Sequence, residues 1–361
     1  MECITIPRIE YRNFCERIID RTKAKNIPLE GQMEVTFRCN LKCVHCYVAE
    51  DSTKKELTFP QITDIIDQIH QEGCLWLCLT GGEPLMRSDF LEIYSYAKRK
   101  GFLVTLFTNG TLITSKIADY LREYPPFMID ITLNGITAET YEGITRVPGS
   151  FQKCLEGIDL ILERNLPLTL KSNGMILNRD EILKIKEHVK RLGKAKYRFD
   201  SLLIPKLNGS REPCRLRLSP EEIIDIEYAD DTMREQWRGY FQDEYEIPDP
   251  ENLYRCGAGV DSFCINPYGE LQLCPELREP SFDLHHGSFR EGFHRFFPKI
   301  RSAKYKTESK CKDCEVRHLC PQCPARAILE NGEQEAPVEY FCALARKRQE
   351  MKYKVLKDIL A

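Results

Sequence analysis

The chain has 361 residues, and its 52 lysines and arginines nearly balance 55 aspartates and glutamates, for a net charge of -3. That balance gives no long-range field to gather nucleic acid or an anionic membrane, so neither is expected as a partner. At about 150 residues per domain, the length suits two or three units with a proper core.

The first residues, MECITIPRIEYRNFCERIIDR, carry charges every few positions, which excludes the apolar centre of a signal peptide, and no later run is apolar enough to span a membrane. The expected compartment is the cytoplasm, where thiols stay reduced and clustered cysteines are metal ligands more often than disulfides. The 17 cysteines are unevenly spread: three fall within Cys39 to Cys46 and eight between Cys256 and Cys342. Two cysteine-rich centres are implied.

From Met33 to about Ser210, β-branched and aromatic runs alternate with helical patterns: MEVTF, LWLCLT, FLVTLFT, FMIDITL, LPLTLKSN and YRFDSLLI read as six strands. Between the first two, Thr58 and Pro60 open a helix whose apolar stripe is Ile62, Ile65, Ile66 and Ile69. Further helices read from Asp89 to Lys100, Ser115 to Tyr124, Phe151 to Arg164 and Asp180 to Leu192. This alternation predicts parallel strands joined by right-handed crossovers, an α/β fold of the partial (βα)6 TIM-like barrel type; an open doubly wound sheet is the alternative. In either architecture, ligands sit beyond the carboxyl ends of the strands.

After Leu207 the rhythm breaks into a polar turn, an acidic helix from Ser219-Pro220 and a proline-bearing stretch from Ile247 to Pro250. From Cys256 onward cysteine, proline and glycine dominate, up to a lysine-rich final helix. The expected division is an extension over 1–32, the barrel over 33–210, a bridging segment over 211–255, a small cysteine-rich C-terminal domain over 256–345 and a C-terminal helix over 346–361.

Directly after the first strand stands Cys39-Asn-Leu-Lys-Cys43-Val-His-Cys46-Tyr47. Thiolates at this spacing can converge on one face of a 4Fe-4S cube and leave the fourth iron without a protein ligand. A zinc knot uses similar spacings, so the triplet alone does not choose between them. The choice comes from Thr80-Gly81-Gly82-Glu83-Pro84 after the second strand, where two glycines permit close backbone approach to a ligand and a carboxylate is placed to bind a protonated amine.

Together these motifs resemble the radical S-adenosylmethionine (SAM) superfamily. The resemblance implies that Cys39, Cys43 and Cys46 hold a [4Fe-4S] cluster whose open iron chelates SAM, that Gly81, Gly82, Glu83 and Pro84 cradle the methionine amino group, and that His45 lies beside the adenine, with Tyr47 in the same site. It extends to Thr108 and Asn109 after the third strand, Thr132 and Asn134 at the fourth, Arg146, Lys171 on the fifth strand with Asn173 near it, and Leu203 and Ile204 on the sixth. For Thr132 and Asn134, relatives often carry serine and aspartate, so a charge is missing here. Strand packing or a solvated end is the plain alternative for Arg146, Lys171, Leu203 and Ile204.

The C-terminal block, with Cys311, Cys314, Cys320 and Cys323 preceded by Cys256, Gly269 and Cys274, is similar to the SPASM domain, which carries auxiliary clusters. Two residues, Pro321 and Gln322, separate the last pair of cysteines where the usual pattern has three. The resemblance implies a nearer cluster on Cys256, Cys264, Cys274 and Cys323, with Cys264 the weakest ligand and an open site as the alternative, and a farther cluster on Cys311, Cys314, Cys320 and Cys342. One or two zincs would suit the same thiols, and the front half of the chain tips the choice to iron. Cys3, Cys15, Cys74, Cys78, Cys154 and Cys214 read as packing residues, and His285-His286 as solvated.

The implied activity is reductive cleavage of SAM to a 5'-deoxyadenosyl radical that abstracts a substrate hydrogen, with Glu276 or Asp200 as the base for the accompanying proton and a flavodoxin or ferredoxin as electron donor. The leading expectation is a maturase, an oxidoreductase acting on a peptide or protein side chain. The short stretch before the first strand counts against this, since a peptide-recognition domain often precedes such enzymes, unless recognition resides in a separate chain. Modification of a small molecule such as a tetrapyrrole is the second reading. A non-catalytic iron–sulfur electron carrier or sensor is the third, and it would not need the Gly81-Gly82-Glu83 cradle.

Overall fold

The computed structural model describes residues 25–49, 53–242 and 249–357, together with residues 10, 13–15, 17, 18 and 22. Cys3, most of the 1–32 extension, the Ile247 end of the proline-bearing stretch and the end of the final helix beyond residue 357 lie outside the described residues.

Six strands pair in parallel and in chain order: β1 (Glu30–Thr36), β2 (Trp76–Gly81), β3 (Leu103–Thr108), β4 (Met128–Thr132), β5 (Leu168–Asn173) and β6 (Ala195–Asp200). Helices α1 (Phe59–Gln71), α2 (Phe90–Arg99) and α3 (Ser115–Glu123) make the first three crossovers. The fourth contains α4 (Ala138–Thr145) and α5 (Ser150–Glu163), and α6 (Ile182–Leu192) makes the fifth. The start of α1 follows from local chemistry, since the backbone N–H of Thr58 donates to Gln61 Oε1 (2.9 Å) and Pro60 occupies the first turn.

Alternation fixes which face of each strand is covered. Leu77, Leu79, Val104, Leu106, Ile129, Ile131, Leu168 and Leu170 are buried beneath Ile62, Ile66 and Ile69 of α1, Ile93 of α2, Leu121 of α3, Ile161 of α5 and Ile185 of α6. The opposite face is polar, with Lys171 Nζ lying 3.8 Å from the centre of the Phe107 ring and Arg198 3.8 Å from Asp130. The fold is therefore an incomplete α/β barrel, and because its strands are parallel, the loops that follow all six gather at one end.

The sixth strand stops at Asp200, four residues short of the run read from sequence. Beyond the Asn173–Asp200 pair, β5 turns away at Gly174, whose N–H donates to Asp200 O (2.7 Å), so residues 201–204 have no strand to pair with.

The sheet does not end with the barrel. Three strands from the cysteine-rich segment, β7 (Ser262–Ile265), β8 (Glu270–Gln272) and β9 (Phe282–Asp283), extend it in the order β6-β5-β4-β3-β2-β1-β7-β8-β9. β7 pairs in parallel with β1, and β8 folds back antiparallel through a turn in which Gly269 has φ +82°. A side chain on Gly269 would meet the positive-φ penalty and His285 Nε2 at 2.9 Å.

The junction of the two parts is held by a buried ion pair. Glu34 of β1 is 1% exposed, and Arg278 reaches it with Nη1 to Oε2 at 2.7 Å and Nη2 to Oε1 at 3.2 Å while also donating to Gln272 Oε1. Burial pushes the Glu34 carboxyl upward and the guanidinium opposes it.

The segment read as a bridge packs as structure. Its helices α7 (Pro220–Ala229) and α8 (Asp231–Gln242) form a second core with the long C-terminal helix, residues Glu339–Lys357, through Ile223, Phe241, Leu344, Met351 and Val355. Arg348 and Glu227 pair inside it at 2.9 Å. A shorter helix, Pro324–Asn331, begins directly after Cys323. No helix among the described residues is long and apolar enough to cross a membrane.

Removing one partner of the Glu34–Arg278 pair leaves an uncompensated buried charge. Arg278→Ala is therefore expected to lower the unfolding free energy by about 3–5 kcal/mol in chemical denaturation, with Glu34→Leu/Arg278→Met recovering most of it, and a single-variant loss below about 1 kcal/mol would contradict this.

Candidate active site

The cysteine loop leaves β1 at the end where all the strand-following loops meet, and it is fixed from several directions. Thr36 O and Arg38 O accept from the N–H groups of Gly82 (2.7 Å) and Glu83 (2.9 Å). The end of α4 holds the middle of the loop, with Lys42 N donating to Thr145 O (2.9 Å) and Val44 N to Ile144 O (3.0 Å). Leu207 N donates to Tyr47 O (2.8 Å). Two asparagines complete the frame: Asn109 Nδ2 donates to Asn40 Oδ1 (2.9 Å) and Asn40 Nδ2 to Thr111 Oγ1 (2.8 Å).

Three thiols are brought into one another's field. Burial pushes the Cys43 thiol up to about 12, and the nearby Cys46 and Cys39 add to the rise. Cys39 and Cys46 are raised as well, chiefly by burial. Cys39 Sγ is approached by Leu41 N (3.4 Å) and Asn109 Nδ2 (3.8 Å), donors suited to a thiolate. Among the described residues, no three His, Cys, Asp or Glu side chains gather closely enough to share one metal ion. Thiols that serve different irons of one cube do not need that convergence. A set of partly covered, mutually destabilised thiols, with Cys39 reaching the surface, fits a cationic iron cluster, which would neutralise the thiolate charge.

The glycines of the second loop have a structural task beside the one read from sequence. A Cβ on Gly81, at φ +138°, would lie 2.1 Å from Thr36 O, and one on Gly82 would lie 2.4 Å from Arg38 O. Both glycines thus let this loop press against the base of the cysteine loop. Glu83 then enters the site fully buried, accepting from Thr108 Oγ1 (2.8 Å) and Leu85 N (3.1 Å) on one oxygen and Asn109 N (2.7 Å) on the other. Burial raises its carboxyl to about 7 against the pull of these donors, and no lysine or arginine among the described residues pairs with it. A buried carboxylate with donors but no counter-cation is a fit for an ammonium ligand such as the methionine end of SAM. Pro84 is buried and opens the short turn that follows.

The remaining positions line the neighbouring strand ends. Burial lowers the His45 imidazole to about 4, leaving it neutral. Asn134 Nδ2 lies 3.3 Å from His45 Nε2, and His45 Nδ1 is buried with no partner among the described residues. That arrangement suits the Nδ1–H tautomer and a ligand acceptor facing it. Asn134 Oδ1 accepts from Asn173 N (2.8 Å). Thr132 is opposite Lys171, whose ammonium is lowered to about 8, first by burial and then by Arg198. Leu203 packs with Ile144, Met175 and Val44 beneath the cysteine loop, with Ile204 half-buried after it. Arg146 caps α4 at φ +59°. Tyr47 is raised well above the usual phenol range, first by burial and next by Glu34.

In the C-terminal part, Cys256, Cys311, Cys314, Cys320, Cys323 and Cys342 line one cavity of roughly 450 Å³. Two groups of neighbouring thiols stand out in this part, the second reaching beyond the cavity to Cys274. The Cys320 thiol, pushed up to about 12 by burial, also feels Cys342, Cys311 and Cys314. The Tyr254 hydroxyl, raised mainly by burial, feels Cys274, Cys323 and Cys256. Cys264 is fully buried on β7 with its Sγ 3.9 Å from Glu34 Oε2, and it too lies in the field of Cys274. Glu276 has both oxygens on Arg326 (2.7 and 2.9 Å), whereas Asp200 closes β6 with Oδ1 accepting from Leu202 N (3.1 Å).

Several positions that organise the site carry no sequence signal by themselves. Asn40 is one, hidden between two cysteines. Asn178 is another, donating to Asn134 O (2.9 Å) and Asn173 O (3.0 Å), and Arg326 is a third. A short polar residue in a loop is usually a turn former, and only the meeting of distant loops shows what these hold.

Comparison with known proteins places the chain beside radical SAM proteins. Residues 33–192 match the radical SAM superfamily. The chain is 29% identical over 334 residues to an AdoMet-dependent heme synthase of Methanosarcina barkeri, covering 85% of this chain and 94% of that one. It is 26% identical over 357 residues to the antilisterial bacteriocin subtilosin biosynthesis protein AlbA of Bacillus subtilis, covering 94% and 77%. Among solved structures, Streptococcus suis SuiB bound to S-adenosylmethionine superposes with a TM-score of 0.68 at 16% identity, over 94% of this chain and 84% of that one, which shows a common fold.

The state of Glu83 has a measurable consequence. The folded chain holds that proton up to about pH 7, whereas the unfolded chain releases it near 4.5. Between those values the folded state binds more protons, so stability falls as pH rises from about 4.5 to about 7, by about 3 kcal/mol, and is level above. Glu83→Gln is expected to remove that fall when urea unfolding of the cluster-free chain is compared at about pH 5 and about pH 8, and an identical pH dependence in both proteins would contradict the assignment.

Proposed function

We propose that this chain, whose residues 33–192 belong to the radical SAM superfamily, is a maturase that modifies a peptide or protein side chain. The observation that carries the radical reading is a meeting at one end of the barrel: three thiols in one another's field, and the buried Glu83 carboxylate, with which no lysine or arginine among the described residues pairs. A peptide substrate is supported by the similarity to the subtilosin biosynthesis protein along 94% of this chain.

In this proposal Cys39, Cys43 and Cys46 would hold the SAM-binding cluster, Glu83 would accept a hydrogen bond from the cofactor's amino group, and His45 Nδ1–H with Asn134 would face its adenosine end. Reduced by a flavodoxin or ferredoxin, the cluster and SAM together supply a 5'-deoxyadenosyl radical and methionine. The chain's own residues do the rest. The frame of Asn40, Asn109 and Thr111 keeps the loop from relaxing, and the donors on Cys39 Sγ stabilise thiolate charge. Thr132 and Lys171 pair on the barrel-facing side of β4 and β5, and Leu203 with Ile204 stands in the segment after β6. Of the two candidate bases, Glu276 is engaged by Arg326 on both oxygens, which leaves Asp200 at the strand end to take the substrate proton. Auxiliary clusters, held by thiols from Cys256 to Cys342, would supply a place for the electron left on the substrate.

A small-molecule substrate such as a tetrapyrrole is the second reading, supported by the similarity to a heme synthase over 94% of that protein. Anaerobic reconstitution with iron and sulfide, then reduction in the presence of SAM, is expected to yield 5'-deoxyadenosine. Cys43→Ala is expected to lose about four irons per chain and that product together. Deuterium transferred into 5'-deoxyadenosine from a labelled peptide supports the maturase, and transfer from a labelled tetrapyrrole supports the second reading. Iron-loaded, reduced protein that forms no 5'-deoxyadenosine with either contradicts both.

A further inference from the structure

The inward face of the barrel carries charges that the cofactor site leaves unused. On β6, Tyr197 Oη donates to Ile182 O of α6 and Phe199 packs against the second core, so Lys196, Arg198 and Asp200 face the interior. Lys171 of β5 pairs in register with Thr132 on one side and Arg198 on the other, and the next inward position holds Asn173 opposite Asp200. Asn173 N donates to Asn134, at the end proposed for the adenosine. A strand rises about 3.3 Å per residue, so Lys171 and Arg198 lie about 7 Å deeper than that level. The resemblance gives Lys171 to SAM, whereas the register gives it to the layer beneath.

That layer has cations without close partners. Elsewhere Arg87, Arg278, Arg326 and Arg348 are largely covered, and each reaches a carboxylate at 2.7 to 2.9 Å. Lys171 is half-buried, yet among the described residues its ammonium makes no hydrogen bond or ion pair and rests over the Phe107 ring, 3.8 Å from the centre. Arg198 has Asp130 Oδ2 at 3.8 Å, too far for a hydrogen bond, and 52% of its side chain is exposed. Burial raises the Asp130 carboxyl, which weakens its hold on either cation, and Asp200 accepts from Leu202 N. A lysine withdrawn from water has three donors to place.

There is room for a partner. The Cys78 thiol, in the field of Lys171 and Arg198, lines a cavity of roughly 300 Å³ with Trp76, Thr105 and Phe127. Glu30 and Asp261 also line it, at the starts of β1 and β7, and their charge directs an anion to the Lys171 side.

We infer that Lys171 and Arg198 form a subsite for a carboxylate of the substrate, which makes the substrate an acid anchored beneath the cofactor. This inference rests on the radical reading proposed above and narrows its substrate. The planar guanidinium suits two parallel hydrogen bonds to a carboxylate and the ammonium a further one, all of them charge-assisted. Asp200, the base proposed above, stands one inward position beyond Arg198 on the same strand, so an acid held here presents its neighbouring carbons to that base. A glutamate side chain and a tetrapyrrole propionate end alike, and propionate is the fragment they share.

Propionate is therefore the probe. The full chain, reconstituted with iron and sulfide and with SAM bound, is treated at about pH 8 with ¹³C-formaldehyde and a borane reductant, and methylation of Lys171 is followed by mass spectrometry. Lys171 stands at about 8, and a carboxylate beside it raises that by about one unit, so saturating propionate is expected to slow its methylation about fivefold. Propionamide, and SAM alone, are expected to leave the rate unchanged. Equal slowing by propionamide, or protection by SAM alone, overturns the inference. So does a Lys171 that takes up no label in any sample, since an interior closed to formaldehyde is closed to propionate. Arg198→Met is expected to raise the propionate concentration for half-protection about tenfold, and an unchanged concentration overturns the pairing. Formation of 5'-deoxyadenosine in reduced portions of the same samples separates the two readings. No protection where it forms overturns this inference alone, and protection where none forms overturns the radical reading while the anion subsite stands. Tighter protection by coproporphyrin III than by its tetramethyl ester, or by N-acetylglutamate methylamide than by the glutamine counterpart, supports the subsite and names its source.

Discussion

Everything in the site depends on holding three partly covered sulfurs together at one end of the barrel. Burial and mutual repulsion both oppose ionising Cys39, Cys43 and Cys46, so an unrestrained loop would swing them out to solvent. The chain prevents this by tying the loop backbone to elements far apart in sequence: the Gly81-Gly82 loop, the end of α4, the Asn109 turn and the segment after β6. Each tie uses a backbone group or a short amide. The loop is consequently preorganised, and a cationic cluster bound there would offset the cost of ionising the thiols.

The second deficit has the same origin. Glu83 is brought under the strand ends because two glycines allow the chain to pass within van der Waals contact of Thr36 and Arg38, closer than any side chain permits. Its three donors orient it without neutralising it. Stability is given up locally so that a positively charged ligand gains by binding, the usual relation between functional sites and strain in the surrounding fold. His45, kept neutral by burial, adds a directed donor of no charge on the opposite flank.

Much of this was legible in the sequence because it is local. The period-two alternation of LVTLFT, the Ile62–Ile69 stripe and the cysteine spacing each reflect a constraint acting within a few residues, and the resemblance placed Glu83 and Asn134 on the strand ends where they are found. What escaped was long-range. The hairpin Phe263–Gln272 has the alternation and the Asn266-Pro267-Tyr268-Gly269 turn of a strand pair, yet nothing in those residues says that the first strand adds to β1. Glu34 and Arg278 look like ordinary charged residues until that addition buries them together. Helices α7 and α8 read as a bridge because their apolar positions find a partner only in a helix about a hundred residues later. Cys264 could be counted as a thiol from the sequence, but its direction is a property of the strand it sits in. The glycines of the second loop were recognised as a close-approach device, with the ligand in place of the cysteine loop as the thing approached.

The central claim is that an iron left uncoordinated by Cys39, Cys43 and Cys46 meets the amine that Glu83 awaits. Electron–nuclear double resonance of the reduced, reconstituted chain with SAM labelled at its amino nitrogen with ¹⁵N tests this directly. A ¹⁵N coupling to a cluster, absent in Glu83→Ala, is what this account predicts. A fully loaded chain in which labelled SAM binds yet shows no such coupling would contradict it.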